Sequence, residues 1–139
     1  MTWTLHYFNP EVKALVTASE EEGGLLDAGQ MADHLRALNA LRDQGPNGIP
    51  AKLSKSLGDG LYEFRLNGKD GIARVFYCFL KGQRLWYLHA IIKKSQKTPP
   101  KDLKLAQERM REVKDYDAEK ERKRQEQERL RARGRRDDR

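Results

Sequence analysis

Residues 71 to 99, GIARVFYCFLKGQRLWYLHAIIKKSQKTP, make two apolar, aromatic-rich runs joined by Lys81-Gly82-Gln83. Cations interrupt them: Arg74 stands in the first run, His89 in the second, and Lys93-Lys94 close it. Charge in such surroundings is costly unless it has a partner or a task. Cutting RNA without a metal is one task that fits. It needs a group to take the proton from the attacking 2′-hydroxyl, fixed positive charge for the pentavalent transition state, and a proton donor for the leaving 5′-oxygen. Arginine serves the second role, because its planar fork stays charged and grips phosphate with two bonds. Histidine titrates near neutrality and lysine reaches that range only when crowded or buried, so His89, Lys93 and Lys94 are the candidates for moving protons. The same residues also fit roles without chemistry. Arg74 can pair with Glu63 or Asp70, Lys93-Lys94 can be a solvated strand end, and His89 can be a hydrogen-bonded structural histidine.

Other chemistries find no support. The chain has no GxGxxG, P-loop, HExxH, zinc-like Cys/His spacing or Ser/His/Asp order, so neither a metal nor a nucleotide cofactor is expected.

The elements that must position these cations follow from periodicity. TWTLHYF alternates and reads as a strand closed by Asn9-Pro10. Glu11 to Glu22 can form a helix ended by Gly23-Gly24. A second helix carries Met31, Leu35, Leu38 and Leu41 at near-helical spacing, predicting a core stripe there, and Gly45-Pro46 stops it. After a loop holding Gly48 and Pro50, Tyr62, Phe64 and Leu66 alternate with Glu63, Arg65 and Asn67, so one sheet face is packed and Arg65 lies on the wet one. Asn67-Gly68 and Asp70-Gly71 supply residues tolerant of positive φ for the turn into Ile72–Leu80, which pairs with Arg84–Ile92. Pro99-Pro100 precedes a helix with a stripe of Leu103, Ala106, Met110 and Val113. The reading is an α+β domain: a small antiparallel sheet, two N-terminal helices and a C-terminal helix, with helices on one side of the sheet and the other open.

With 139 residues there is room for one modest core. We expect a domain over 1–116 and a charged tail over 117–139, helical or disordered. The tail holds ten Lys or Arg against seven Asp or Glu and one large apolar residue, Leu130. It supplies +3 of the net +7, so the body is basic too, and the balance favours a polyanionic partner, nucleic acid first. Cys78 is the single cysteine and cannot form an internal disulfide, and no run is long and apolar enough to span a membrane, so a cytoplasmic protein is expected.

The stretch from Asp59 to Met110, with its GLYEFR, RVFY and KKSQKTP series and the following LAQERM helix, resembles the HigB-like, phage-associated branch of the RelE/ParE toxin superfamily. The resemblance implies a compact RelE-like fold and a toxin that cleaves mRNA on the translating ribosome. It also implies a cognate antitoxin, of helix-turn-helix DNA-binding type, and a higher-order toxin–antitoxin complex. It matches Arg65 to the basic residue on the strand lining the RNA cleft, Arg74 to the arginine near the scissile phosphate, and Lys93 and Lys94 to the basic pair ending the last strand. Lys69, Lys97 and Lys101 join them as candidates for binding RNA. Two positions depart from the pattern: Glu63 stands where relatives have a second basic residue, and KTPPKDLKLA lacks the tyrosine some relatives carry near the start of the final helix. The general base is therefore open between His89 and a lysine. Two alternatives share the sequence evidence, a ParE-like inhibitor of gyrase and a non-catalytic RNA- or ribosome-binding protein.

Overall fold

The computed structural model describes residues 2–69, 71–93 and 97–137. Strand β1 (Thr4–Tyr7) is followed by Asn9, whose side chain accepts from Val12 N at 2.8 Å and so caps α1 (Pro10–Thr17), with proline in the first turn where its missing N–H costs nothing. The expected helix to Glu22 stops at Thr17; Glu20–Glu22 form a separate 3-10 turn that ends on Gly23 at φ +93. Helix α2 (Ala28–Gln44) starts from a capping box in which Asp27 and Gln30 each bond the other's backbone N–H.

The fully buried stripe of α2 is Gln30, His34, Ala37 and Leu41; of the stripe expected, Leu41 lies in it and Met31 and Leu38 pack against the same core, while Leu35 does not. Leu35 is 52% exposed, and Met31 and Leu38 are half-buried. Two polar residues take buried positions because each finds a partner inside: Gln30 Nε2 donates to Gly71 O at 3.1 Å, and His34 meets the Tyr87 hydroxyl at 2.6 Å through Nε2 alone.

Four strands follow, not three. The loop expected after Pro50 contains β2 (Ser54–Gly58), which pairs antiparallel with β3 (Leu61–Gly68); then come β4 (Gly71–Leu80) and β5 (Arg84–Lys93). The sheet order is β1-β5-β4-β3-β2, and β1 runs parallel to β5, so the sheet is mixed and not wholly antiparallel. The turn between β3 and β4 needs a glycine at 68 for space: a Cβ there would stand 2.3 Å from Asp27 Oδ2, while Gly71, among the described residues of the turn, has positive φ.

Helices lie on both sheet faces, contrary to the one-sided arrangement expected. Val12, Val16, Leu26 and Leu41 pack on Phe64, Leu66, Val75, Tyr77, Leu85 and Tyr87. On the opposite face α3 (Pro100–Asp137) lays Ala106, Met110 and Val113 over Leu61, Phe76, Cys78 and Leu88. At about 1.5–3 kcal/mol for each large apolar side chain removed from water, both layers are needed to hold a sheet of this size. The result is a mixed α+β chain with the C-terminal helix fixed directly above the strands that carry the cations.

Candidate functional site

Strand register decides which cations meet. β3 pairs with β4 so that Arg65 is opposite Arg74 and Glu63 opposite Phe76, and β4 pairs with β5 so that Arg74 is opposite Ile91 and Phe76 opposite His89. Two neighbouring rows on the α3 face therefore read Arg65–Arg74–Ile91 and Glu63–Phe76–His89. Like charges directly opposite on a sheet repel. Here Glu63 removes the conflict: Oε1 accepts from Arg74 Nη1 at 2.7 Å and from Arg65 Nε at 3.2 Å, while Oε2 accepts from Thr98 Oγ1 at 3.0 Å. Glu63 is 0% exposed and Arg74 1%, whereas the Arg65 side chain keeps 32% of its surface in contact with solvent. The carboxylate and the two guanidiniums leave one net positive charge, presented at Arg65.

His89 lies across Phe76, ring on ring at 5.8 Å and 14°, and its Nε2 meets Asp102 Oδ1 at 2.9 Å in the first turn of α3. An ionised carboxylate only accepts, so Nε2 carries a hydrogen, and in the neutral ring the lone pair is then at Nδ1. That is the tautomer a general base at Nδ1 requires, held by a carboxylate as an orienting partner. The α3 backbone is what places it: Pro99 O accepts from Leu103 N at 3.0 Å to open the helix, and Arg109 Nη1 donates to Leu88 O at 2.8 Å, fastening the helix to β5 beside His89.

The structure thus brings Arg65, Arg74 and His89 onto one patch, and puts the exposed Lys97 and Lys101 at the approach to α3 beside it. Lys69 is exposed in the β3–β4 turn, where its backbone N donates to Asp27 Oδ2 at 3.0 Å. Lys93 closes β5 opposite Ile72, and Lys94 lies outside the described residues, as does Asp70, the second carboxylate considered for Arg74. Three residues of the patch escaped the sequence reading: the buried position of Glu63, and the roles of Thr98 and Asp102. Alternation had placed Glu63 beside Arg65 on a wet face; Thr98 and α3 close over it instead. Among the described residues, no group of three or more His, Cys, Asp or Glu is arranged to hold a metal ion, and no helix is long and apolar enough to cross a membrane.

Residues 24–111 match the family model for Phage derived protein Gp49-like, which covers the capping box of α2, all four strands of the meander and the first third of α3. The chain belongs to this family. The Gp49-like proteins are a phage-derived toxin family of RelE/HigB type, and membership implies a cognate antitoxin as partner. The matched span holds every residue of the patch, from Glu63 to Asp102, and ends six positions before Asp117, so the outer half of α3 lies beyond what the Gp49-like family defines. No curated protein matches the chain.

Proposed function

We propose that this chain is a ribosome-dependent mRNA endonuclease of the HigB-like branch, with a RelE-like fold, acting as the toxin of a toxin–antitoxin pair. The observation that carries the reading is the pairing of a carboxylate-oriented His89 with the arginine pair one row away on the same sheet face. His89 Nδ1 takes the proton of the 2′-hydroxyl, the 2′-oxygen attacks phosphorus, and the bond to the 5′-oxygen breaks with a cyclic phosphate left behind. Arg65 binds the phosphate from the exposed side, and Arg74 supports it with charge from beneath. Lys93 and Lys94 contact phosphate and supply the proton to the leaving 5′-oxygen; Lys69, Lys97 and Lys101 bind the flanking backbone. A helix-turn-helix antitoxin holds the activity in check, within a higher-order complex, in the cytoplasm.

The burial of Arg74 favours a second reading. A guanidinium 1% exposed and already bonded to Glu63 reaches a phosphate only if that contact opens, and a protein in which it stays closed would act without cutting, as a ParE-like gyrase inhibitor.

One experiment separates them. The wild-type chain, Arg65→Ala and His89→Ala are induced in a bacterial host, new mRNA 5′ ends are mapped, and protein and DNA synthesis are followed by pulse labelling. The endonuclease reading expects protein synthesis to stop first, cuts inside translated frames, and a loss of about 10²-fold or more in cutting for either variant. Intact mRNA with DNA synthesis failing first establishes the gyrase reading instead.

A further inference from the structure

Helix α3 runs well past the body it packs on. Among the described residues Val113 is its last buried one, and from Ala118 to Arg136 every residue is exposed. At about 1.5 Å per residue this outer half projects roughly 30 Å. Arg84 fixes its departure: both terminal nitrogens grip Asp117, at 2.8 and 3.0 Å, while Nε donates to Lys81 O at 2.7 Å. Between the Lys81-Gly82 turn and the helix lies a cleft of about 650 Å³, walled by Lys81, Arg84, Lys120 and Arg124 with Asp117 and Glu121. The two acids are taken, Asp117 by Arg84 and Glu121 by Arg124 at 2.6 Å.

The cleft continues as a stripe. Lys120, Arg124, Arg131 and Arg135 are spaced four, seven and four apart, which at about 100° per residue confines them to roughly 60° of the helix surface over about 22 Å. Glu128 flanks this stripe. Arg122, Arg129, Arg133 and Arg136 occupy the opposite face, where Arg122 and Arg129 are ion-paired to Glu119 and Glu126. From Arg129 to Arg136 there are five arginines and no acid.

We propose that the outer half of α3, together with the Lys81-Gly82 turn, docks on the phosphate backbone of double-stranded RNA. Charge complementarity selects a phosphate polymer. A protein partner would find one large apolar side chain to bury, Leu130. The stripe presents one lysine and three arginines, Arg124 among them paired to Glu121, a set that positions a nucleic acid without reading its bases. Duplex RNA offers a wide, shallow groove flanked by phosphates against which a straight helix can lie. The choice of RNA over DNA rests on the proposed function, since a surface next to an RNA-cutting patch meets the same polymer.

The test uses the full chain and needs neither ribosomes nor cleavage, so its result is independent of whether mRNA is cut. Fluorescence anisotropy measures binding to a 20-base-pair RNA duplex and to a DNA duplex of the same sequence over a salt series. Two quadruple variants are compared, Lys120→Ala/Arg124→Ala/Arg131→Ala/Arg135→Ala and the opposite-face Arg122→Ala/Arg129→Ala/Arg133→Ala/Arg136→Ala, with helix content checked by circular dichroism. The two remove equal charge from the same helix. The stripe variant should lose about tenfold or more in RNA affinity, and its slope of log K against log salt should fall by about 3; the opposite-face variant should lose less than about threefold. Equal losses in both, DNA bound as tightly as RNA, or no RNA binding by the wild-type chain at low salt overturns the proposal.

Discussion

Glu63 holds two guanidiniums through one oxygen atom, and the two arginines differ in what their removal leaves behind. Taking away Arg74 leaves a carboxylate at 0% exposure with its shortest ion-pair contact, 2.7 Å, gone. Breaking a buried pair in this way costs about 3–5 kcal/mol. Arg65 is a third exposed and contributes a longer bond of 3.2 Å, so its loss should cost under about 1 kcal/mol. Urea denaturation of Arg74→Ala and Arg65→Ala checks the order; equal midpoints would mean that Glu63 is not the common anchor. Arg65→Ala is accordingly the cleaner variant for activity, because it disturbs the fold least. At this scale the sequence was legible in type but not in depth. Periodicity put Glu63 and Arg65 on one face, and a partner carboxylate for Arg74 was anticipated. Burial was not visible, because the groups that close over Glu63 and orient His89 are Thr98 and Asp102, and Thr98 stands 35 residues beyond Glu63 along the chain.

Among the elements, α3 does two different jobs along one axis. Its first half is packed on the sheet through Ala106, Met110 and Val113, while its second half is fixed at Asp117 and otherwise stands in solvent, supported by ion pairs three residues apart such as Arg124 with Glu121. Such exposed pairs contribute only a few tenths of a kcal/mol each. A chain ending at Tyr116 should therefore fold with under about 1 kcal/mol of stability lost, most of it from the Arg84 pair, while the helical circular-dichroism signal falls with the missing turns. A truncated chain that fails to fold would show that the outer half supports the body. The legible helices were those with a conventional apolar stripe, and α3 is one. The stripe of α2 was placed only in part, with Leu35 exposed and Gln30 and His34 buried, because hydropathy counts Gln30 and His34 as outward-facing. β2 was missed because Ser54, Lys55 and Ser56 have none of the branched or aromatic character of a strand; as an edge strand half in water, it does not need it.

Across the whole molecule, His34 joins the helical layer to the sheet through Tyr87, and burial pushes its pKa down from 6.5 to about 4. The sign follows from which state holds the proton. Between pH 6.5 and about 4 the unfolded chain binds a proton at this position and the folded chain does not, so stability is full above 6.5 and declines as the pH falls. At about 1.4 kcal/mol per pH unit, the loss at pH 5 is about 2 kcal/mol. Urea melts at pH 7.5 and pH 5 should show that difference shrinking in His34→Gln; an unchanged difference would assign the acid sensitivity elsewhere. The α+β class was readable from the order of elements, since the meander rests on short connections. The parallel pairing of β1 was not, because nothing local to TWTLHYF names its partner. That pairing sets Thr4 opposite Arg84, 80 positions along the chain. During synthesis at about 5–20 residues per second, the first strand must wait roughly 4–16 s for the strand it will lie against. Thr98 and Asp102, which complete the surroundings of Glu63 and His89, emerge later still. The order of translation thus acts as a timer: a growing chain carries its cations early and its assembled patch only near the end.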